Sequence, residues 1–390
     1  MKSNYKRIGE HIRLVDERNK GLQVKQLLGL SISKQFIPSV ANIVGTDMEN
    51  YKIIRKTQFA CSTMQVRRDK KMPVALLQEV DEAIISQAYP IFEVKDEQQL
   101  LPEYLMMWFT RSEFDREACF HAVGGVRGSL EWEDFENLQL PIPHITKQRE
   151  IVKEYNVIQN RIALNQQLIQ KLEETAKSIY KQWFVEFEFP DENGRPYKSS
   201  GGEMVWNEEL GKEIPKGWKI ITIADTGIIK AGGDKPNIFS ETKTNECPIP
   251  IYSNGITNDG LYGYTNKPNY SKNSITISAR GTIGFCVLRR EDFDAIVRLL
   301  VLTPNYPTSA IYLWQTIKQI EFDNSGSVQN QLTIPQIAVT NILFPEIEVL
   351  NKYDSIVSLI YQNIEILTKE NQKLTELKDL LLSKLATIEN

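Results

Sequence analysis

Histidine, cysteine and long apolar runs are all scarce in this chain, and each shortage removes a class of function. The three histidines, His11, His121 and His144, share no metal-ligand spacing, so no zinc site can be drawn from them. The four cysteines, Cys61, Cys119, Cys247 and Cys286, are scattered without a CxxC pair. They read as reduced core or surface thiols in a cytoplasmic protein. No apolar run approaches the ~20 residues that cross a bilayer, so no membrane partner is expected. The opening MKSNYKRIGEHIRL has no apolar signal core.

Nucleotide and methyl-donor chemistry is equally hard to find. There is no GxxxxGK phosphate loop and no GxGxxG after a strand. There is also no Asp/Asn-Pro-Pro-Tyr/Phe motif of the kind that holds an adenine amino group for methylation. One nuclease-like pattern occurs, Asp81 followed by Glu93 and Lys95. Two acids and a lysine can hold Mg²⁺ and activate water, but the pattern is short and common. No catalytic or metal-binding residues are assigned.

A basic excess is missing too. The net charge is −4. Residues 1–145 carry 19 basic and 20 acidic residues, and residues 210–345 carry 13 and 11. The acidity lies mostly in 146–192 and 346–390, which together carry 12 basic and 16 acidic residues. A self-sufficient DNA binder carries a strong positive patch. If this chain reads DNA, something else supplies much of the phosphate contact.

What the chain does have is a long-range repeat. Residues 124–184 align with 326–386 without a gap, at a fixed offset of 202. Gly124 falls on Gly326, Pro143 on Pro345, and the run Gln170, Lys171, Leu172, Glu174 on Gln372, Lys373, Leu374, Glu376. Solenoid units are roughly 20–50 residues long, so this period marks two copies of a whole domain plus a helix. Such a molecule presents two similar surfaces to two similar targets, or to two copies of one partner.

The helices of the repeat are legible in detail. Ile151, Tyr155, Ile158, Ile162, Asn165, Ile169, Leu172, Ala176, Ile179 and Trp183 alternate in steps of four and three. That is a heptad seam. Tyr353, Val357, Ile360, Ile364, Leu367, Asn371, Leu374, Lys378, Leu381 and Leu385 repeat it. At 1.5 Å per residue, a helix of about 40 residues is about 60 Å long. Tethering favours pairing within the chain. Antiparallel overlap places Asn165 opposite Asn371, Ile151 opposite Leu385 and Trp183 opposite Tyr353. A facing Asn pair can hydrogen-bond and fix the register. Lys378 would face Ile158, its stem buried and its head in water.

The expected fold is α+β: two α/β globular domains joined by two long antiparallel coiled-coil helices, with an internal pseudo-two-fold repeat. The expected boundaries are 1–145 and 218–345 for the domains, 146–189 and 346–390 for the helices, and 190–217 for a polar, Gly- and Pro-rich linker. Residues 51–60, 83–94 and 295–304 read as strands, 102–120 and 310–322 as helices, and 274–290 as two strands around a glycine turn.

The order and duplication of these features identify a family. The chain resembles the specificity (S) subunit of type I restriction–modification systems. KQWFVEFEFPDENGRPYKSSGGEMVWNEELGKEIPKGW (181–218) is similar to that family's central conserved region, and KAGGDKP (230–236) and ISARGTIG (277–284) also fit. The resemblance implies that each globular domain is a target recognition domain for one half of a split double-stranded DNA sequence. The helices would set the spacer. Two methyltransferase (M) subunits and restriction (R) subunits would be the partners. S-adenosylmethionine, ATP and Mg are then expected on those partners, and no cofactor on this chain. The contrasting reading is a stand-alone DNA-binding regulator of a bipartite operator.

Base readout needs polar side chains in loops. The candidates are Ser31, Ser33, Lys34, Arg67, Arg68 and Arg127 in the first domain. In the second they are Lys235, Tyr252, Asn254, Arg280, Thr282 and Gln329. Asn165 and Asn371 are the register candidates. Trp183 and Phe184, near a helix end, are candidates for partner docking, with seam packing the competing role for Trp183.

Overall fold

The computed structural model describes residues 5–39, 46–64, 66–125, 128–322 and 331–388. It divides into two compact units, Met1–Gln166 with Thr368–Asn390, and Gln167–Leu367. The division passes through both long helices, Ile145–Tyr180 and Ile347–Lys384, rather than separating them from the globular parts. The reason lies in seam residues and their immediate neighbours. Ile151, Val152, Leu382 and Leu385 merge with the core of the first unit. Ala176, Tyr180, Tyr353 and Val357 merge with that of the second.

Each unit is built on a four-stranded antiparallel sheet. In the first unit the order is Ile12–Val15, Ile91–Val94, Phe59–Cys61, Val74–Leu76. In the second it is Gly227–Ala231, Leu300–Pro304, Ser274–Ile277, Cys286–Arg289. A three-stranded sheet accompanies each: Glu17–Arg18, Lys52–Arg55 and Glu82–Ile85 in the first, Leu261–Thr265, Ile249–Tyr252 and Asp294–Ala295 in the second. Tyr5–Arg7 pairs with Gln139–Pro141, just ahead of the first long helix. Lys219–Thr222 pairs with Asn341–Phe344 in the same way in the second. The first core is aromatic. Phe59 and Phe92 stack at 4.9 Å, and Phe109 meets both edge-on, a geometry the ring quadrupole favours.

Several expected elements are shorter than their apolar pattern suggests. The strand expected over 51–60 is two strands, broken where Thr57 takes a left-handed φ of 68°. Residues 83–94 and 295–304 are likewise two strands each. The helix expected over 102–120 breaks at Arg111, whose backbone is extended. The first long helix ends as a regular α-helix at Tyr180 and continues as a π-helical turn, Lys181–Val185. The second ends in a 3₁₀ turn, Leu385–Thr387.

The segment 190–217, expected as a linker, has ordered structure of its own. Met204–Asn207 and Lys212–Pro215 form a hairpin. The Phe189 ring stacks on Tyr197 at 4.5 Å and on Trp218 at 5.3 Å. These aromatics bury enough apolar surface to order a segment whose Gly, Pro and charge content resembles a flexible tether. Gly202 is required here, because a Cβ would lie 2.4 Å from the Tyr197 ring.

Candidate nucleic-acid interface

The long helices carry the register device. Asn165 donates from Nδ2 to Asn371 Oδ1 at 2.9 Å. Beside it Arg161 makes a two-pronged contact with Glu370, at 2.9 and 3.1 Å. The Arg161 hydrogen bond holds the Glu370 carboxyl below its ordinary pKa. In the second unit, the Trp183 and Tyr353 rings lie 5.6 Å apart. The docking role expected for Trp183 and Phe184 is corrected. Both are 6% exposed, and Phe184 packs 4.6 Å from Tyr312 and 4.8 Å from Tyr353. Their apolar faces are spent inside the unit.

Other apolar residues of these helices are exposed. Val157 and Leu164 are 62% and 57% exposed, and Leu359 and Ile366 are 57% and 62% exposed. Val157 and Leu359 occupy equivalent positions of the repeat, as do Leu164 and Ile366. With Tyr155 and Val357 at position a of the heptad and Ile158 and Ile360 at d, all four fall at position c, a site that is ordinarily polar. In the first unit Val157 borders a groove of about 570 Å³ with Ile158, Leu377 and Leu381. The signal was present in the sequence, but only for a reader who applied the offset outside the seam.

In the first unit the expected readout residues separate into different environments. Ser31 and Ser33 share a hydroxyl hydrogen bond of 2.8 Å in a turn closed by Gln35. Lys34 is 9% exposed and is corrected from surface contact to buried ion pair. Its ammonium lies 2.8 Å from Asp115, donates to the Phe109 carbonyl and sits 5.0 Å over the Phe114 ring. Burial lowers its pKa. Arg67 is exposed and donates to the Gly124 carbonyl at 3.0 Å, tying itself to the glycine loop. Arg68 is paired with Asp69 at 2.6 Å. Arg127 and Gln329 lie outside the described residues.

In the second unit they converge. Asn254 donates to the Val297 carbonyl at 2.7 Å and accepts from the Ala279 N–H at 2.7 Å. One amide thus joins residues 253–256, the glycine turn with Arg280 and Thr282, and the turn at 297–298. Arg280 and Thr282 are exposed, and Arg280 donates to Gln331 at 3.0 Å. The Lys235 ammonium lies 3.4 Å over the Phe239 ring. Tyr252 is half-buried beneath Arg289, whose guanidinium sits 3.5 Å over the ring.

Arg289 itself was missed, because it ends an apolar strand and reads as surface charge. It is 5% exposed and donates to Thr276 Oγ1 at 2.9 Å and to the Asp259 carbonyl at 2.7 Å. Burial pushes its pKa down to about 10. It holds a turn, Thr257–Gly260, in which Asn258 and Asp259 are both left-handed.

The nuclease-like pattern does not assemble. Glu93 is taken by Arg13 at 2.6 Å and by Gln58 at 2.8 Å, and Lys95 by the Gly9 and Glu10 carbonyls. Asp81 extends into solvent. Among the described residues no cluster of His, Cys, Asp and Glu could hold a metal ion, and no helix is long and apolar enough to cross a membrane.

Comparison with known proteins also finds one domain twice in the chain. Residues 66–174 and 215–376 match the family model described as "Type I restriction modification DNA specificity domain". The chain is 25% identical over 311 residues to the type I restriction enzyme MjaIX specificity subunit of Methanocaldococcus jannaschii, covering 73% of this chain and 68% of that one. It is 21% identical over 373 residues to the HindI specificity subunit of Haemophilus influenzae, covering 79% and 81%. The crystal structure of a type I system S subunit from M. genitalium superposes with a TM-score of 0.66 at 17% identity, covering 99% of this chain and 96% of that one.

Proposed function

We propose, since this chain belongs to the type I restriction–modification DNA specificity family, that it is the DNA sequence-recognition subunit of such an enzyme. Each globular unit reads one half of a bipartite target. The observation that carries this is the duplicated four-stranded sheet, with the same strand order and the same paired strands before and after it in both units. Two copies of one scaffold with different loops suit two half-sites of different sequence.

The long helices fix the spacer, because the Asn165–Asn371 hydrogen bond and the Arg161–Glu370 pair lock one register. Two M subunits dock on the exposed c-position patches, one at Val157 and Leu164 and one at Leu359 and Ile366. Equivalent apolar patches suit two copies of one partner that offers the apolar face of a helix. R subunits join that assembly. The chain itself contributes recognition, and methyl transfer and cleavage reside on the partners, which bind S-adenosylmethionine, ATP and Mg. Near-neutral globular units fit a chain that relies on those partners for phosphate contact.

The test is co-expression with a candidate M subunit, followed by sequencing of host DNA with a method that sees N6-methyladenine. A single split motif with a fixed gap, lost when this gene is deleted, is the expected result. Robust expression of both proteins without new methylation overturns the reading in favour of a stand-alone DNA-binding regulator.

A further inference from the structure

The segment expected as one buried strand over 295–304 contains two consecutive left-handed residues, Val297 at φ 54° and Arg298 at φ 61°. A β-branched residue at positive φ is a steric outlier. Such strain costs about 1–3 kcal/mol per residue and persists only where the surroundings over-determine it, commonly at functional sites.

Here the surroundings do so. Val297 N–H donates to the Gly233 carbonyl at 3.0 Å, and Gly233 N–H to the Ala295 carbonyl at 3.0 Å. Gly232 N–H donates to Leu299 at 2.7 Å, and Asn254 holds the Val297 carbonyl. Gly232 allows this approach, since a Cβ there would lie 2.7 Å from the Ala295 carbonyl group. The two glycines of KAGGDKP are therefore the floor of the turn.

The clamped turn presents two exposed side chains, Val297 and Arg298. Among the described residues, Arg298 has no ion pair or hydrogen bond from its guanidinium. It differs in this from Arg67, Arg68, Arg280 and Arg289, each of which is engaged within the fold. The corresponding stretch of the first unit follows Ala83-Ile84 as this one follows Ala295-Ile296, and Leu27–Ile84 and Gly233–Ile296 form the same parallel bridge. Yet Ser86–Pro90 contains no left-handed residue. The turn is a property of the second unit alone, as a half-site-specific device would be.

We propose that Arg298 is a specificity-determining residue of the second unit, reading a guanine edge in the major groove, and that Asn254 is its positioning residue. This rests on the reading of that unit as a target recognition domain. A free guanidinium on a rigid turn can bond guanine O6 and N7 together, which discriminates that base. A rigid support matters because ordering a flexible arginine costs binding energy.

The experiment is N6-methyladenine sequencing of DNA from cells that express the full chain, Arg298→Ala or Asn254→Ala with the M subunit. In wild type, the second half-site should contain an obligatory G·C pair. Arg298→Ala should relax that pair by roughly tenfold to a hundredfold while the first half-site and the gap stay unchanged. Asn254→Ala should relax the same pair by freeing the turn. Arg298→Lys, which keeps the charge but not the fork, should behave as Arg298→Ala. An unchanged motif, or a uniform fall in methylation at every site, overturns the proposal, the latter marking a phosphate contact. Absence of any split motif in wild type would instead overturn the underlying reading.

Discussion

Asn165 and Asn371 meet side chain to side chain, 206 residues apart in the chain, with Asn165 only 2% exposed. Each amide satisfies a group that would otherwise be costly on an apolar seam. Asn165→Leu should destabilise the protein by about 1–2 kcal/mol, because the Asn371 amide loses its partner. The double variant Asn165→Leu/Asn371→Leu should recover that stability in denaturant unfolding. It should also blur the gap between methylated half-sites, since leucines accept more than one register.

Lys34 and Asp115 form the ion pair inside the first unit. Lys34→Met should cost about 3–5 kcal/mol, because it leaves a buried carboxylate without a counter-ion. The pH dependence has a defined sign. Burial holds the ammonium below its ordinary pKa of 10.5, so the folded chain gives up this proton more readily than the unfolded chain. The group's penalty is full at neutral pH, fades as pH rises through the folded pKa and is gone above 10.5. The wild-type minus Lys34→Met difference in unfolding free energy, followed from pH 7 to 10.5, should show that change.

The c-position patches predict stoichiometry. Val157→Asp/Leu164→Asp should reduce a two-M complex to one M subunit, and so should Leu359→Asp/Ile366→Asp. Native mass spectrometry of the co-purified complex reads this directly. Four exposed positions should leave the thermal stability of the chain close to wild type. An intact two-M complex in both variants would place docking elsewhere.

Arg289 ties two strands and a turn together through Thr276, Tyr252 and Asp259. Lysine cannot reproduce its planar fork. Arg289→Lys should lower stability by about 1–3 kcal/mol, seen in thermal unfolding. It should degrade the second half of the methylated motif and spare the first.

The helices were legible in the sequence because a heptad seam is a local, periodic signal, and the Asn pair because it interrupts two seams at positions that match. The duplication was legible because it needs only self-comparison. Strand breaks at Thr57 and at Val297–Arg298 were not, since neither residue type announces a left-handed backbone. The ordered hairpin after Phe189 was hidden for the opposite reason. Its composition is that of a tether, and only the stacking of Phe189, Tyr197 and Trp218 reveals otherwise. Lys34 looked like surface because burial of a lysine depends on a partner, Asp115, that lies 81 positions away. Arg289 and Arg298, nine residues apart, show how little charge alone says. One is a buried brace and the other a free guanidinium.

The strand before the sheets of each unit is zipped to the strand that follows them, Tyr5–Arg7 to Gln139–Pro141 and Lys219–Thr222 to Asn341–Phe344. The polypeptide therefore goes in and comes out at one doorway, and everything between is a cassette. An exchanged segment must bring a compatible pair of strands and also an underside that fits the helix residues of its core, Ile151, Val152, Leu382 and Leu385 in the first unit and Ala176, Tyr180, Tyr353 and Val357 in the second. Where both conditions are met, one reading surface can be replaced while the other stays as it was.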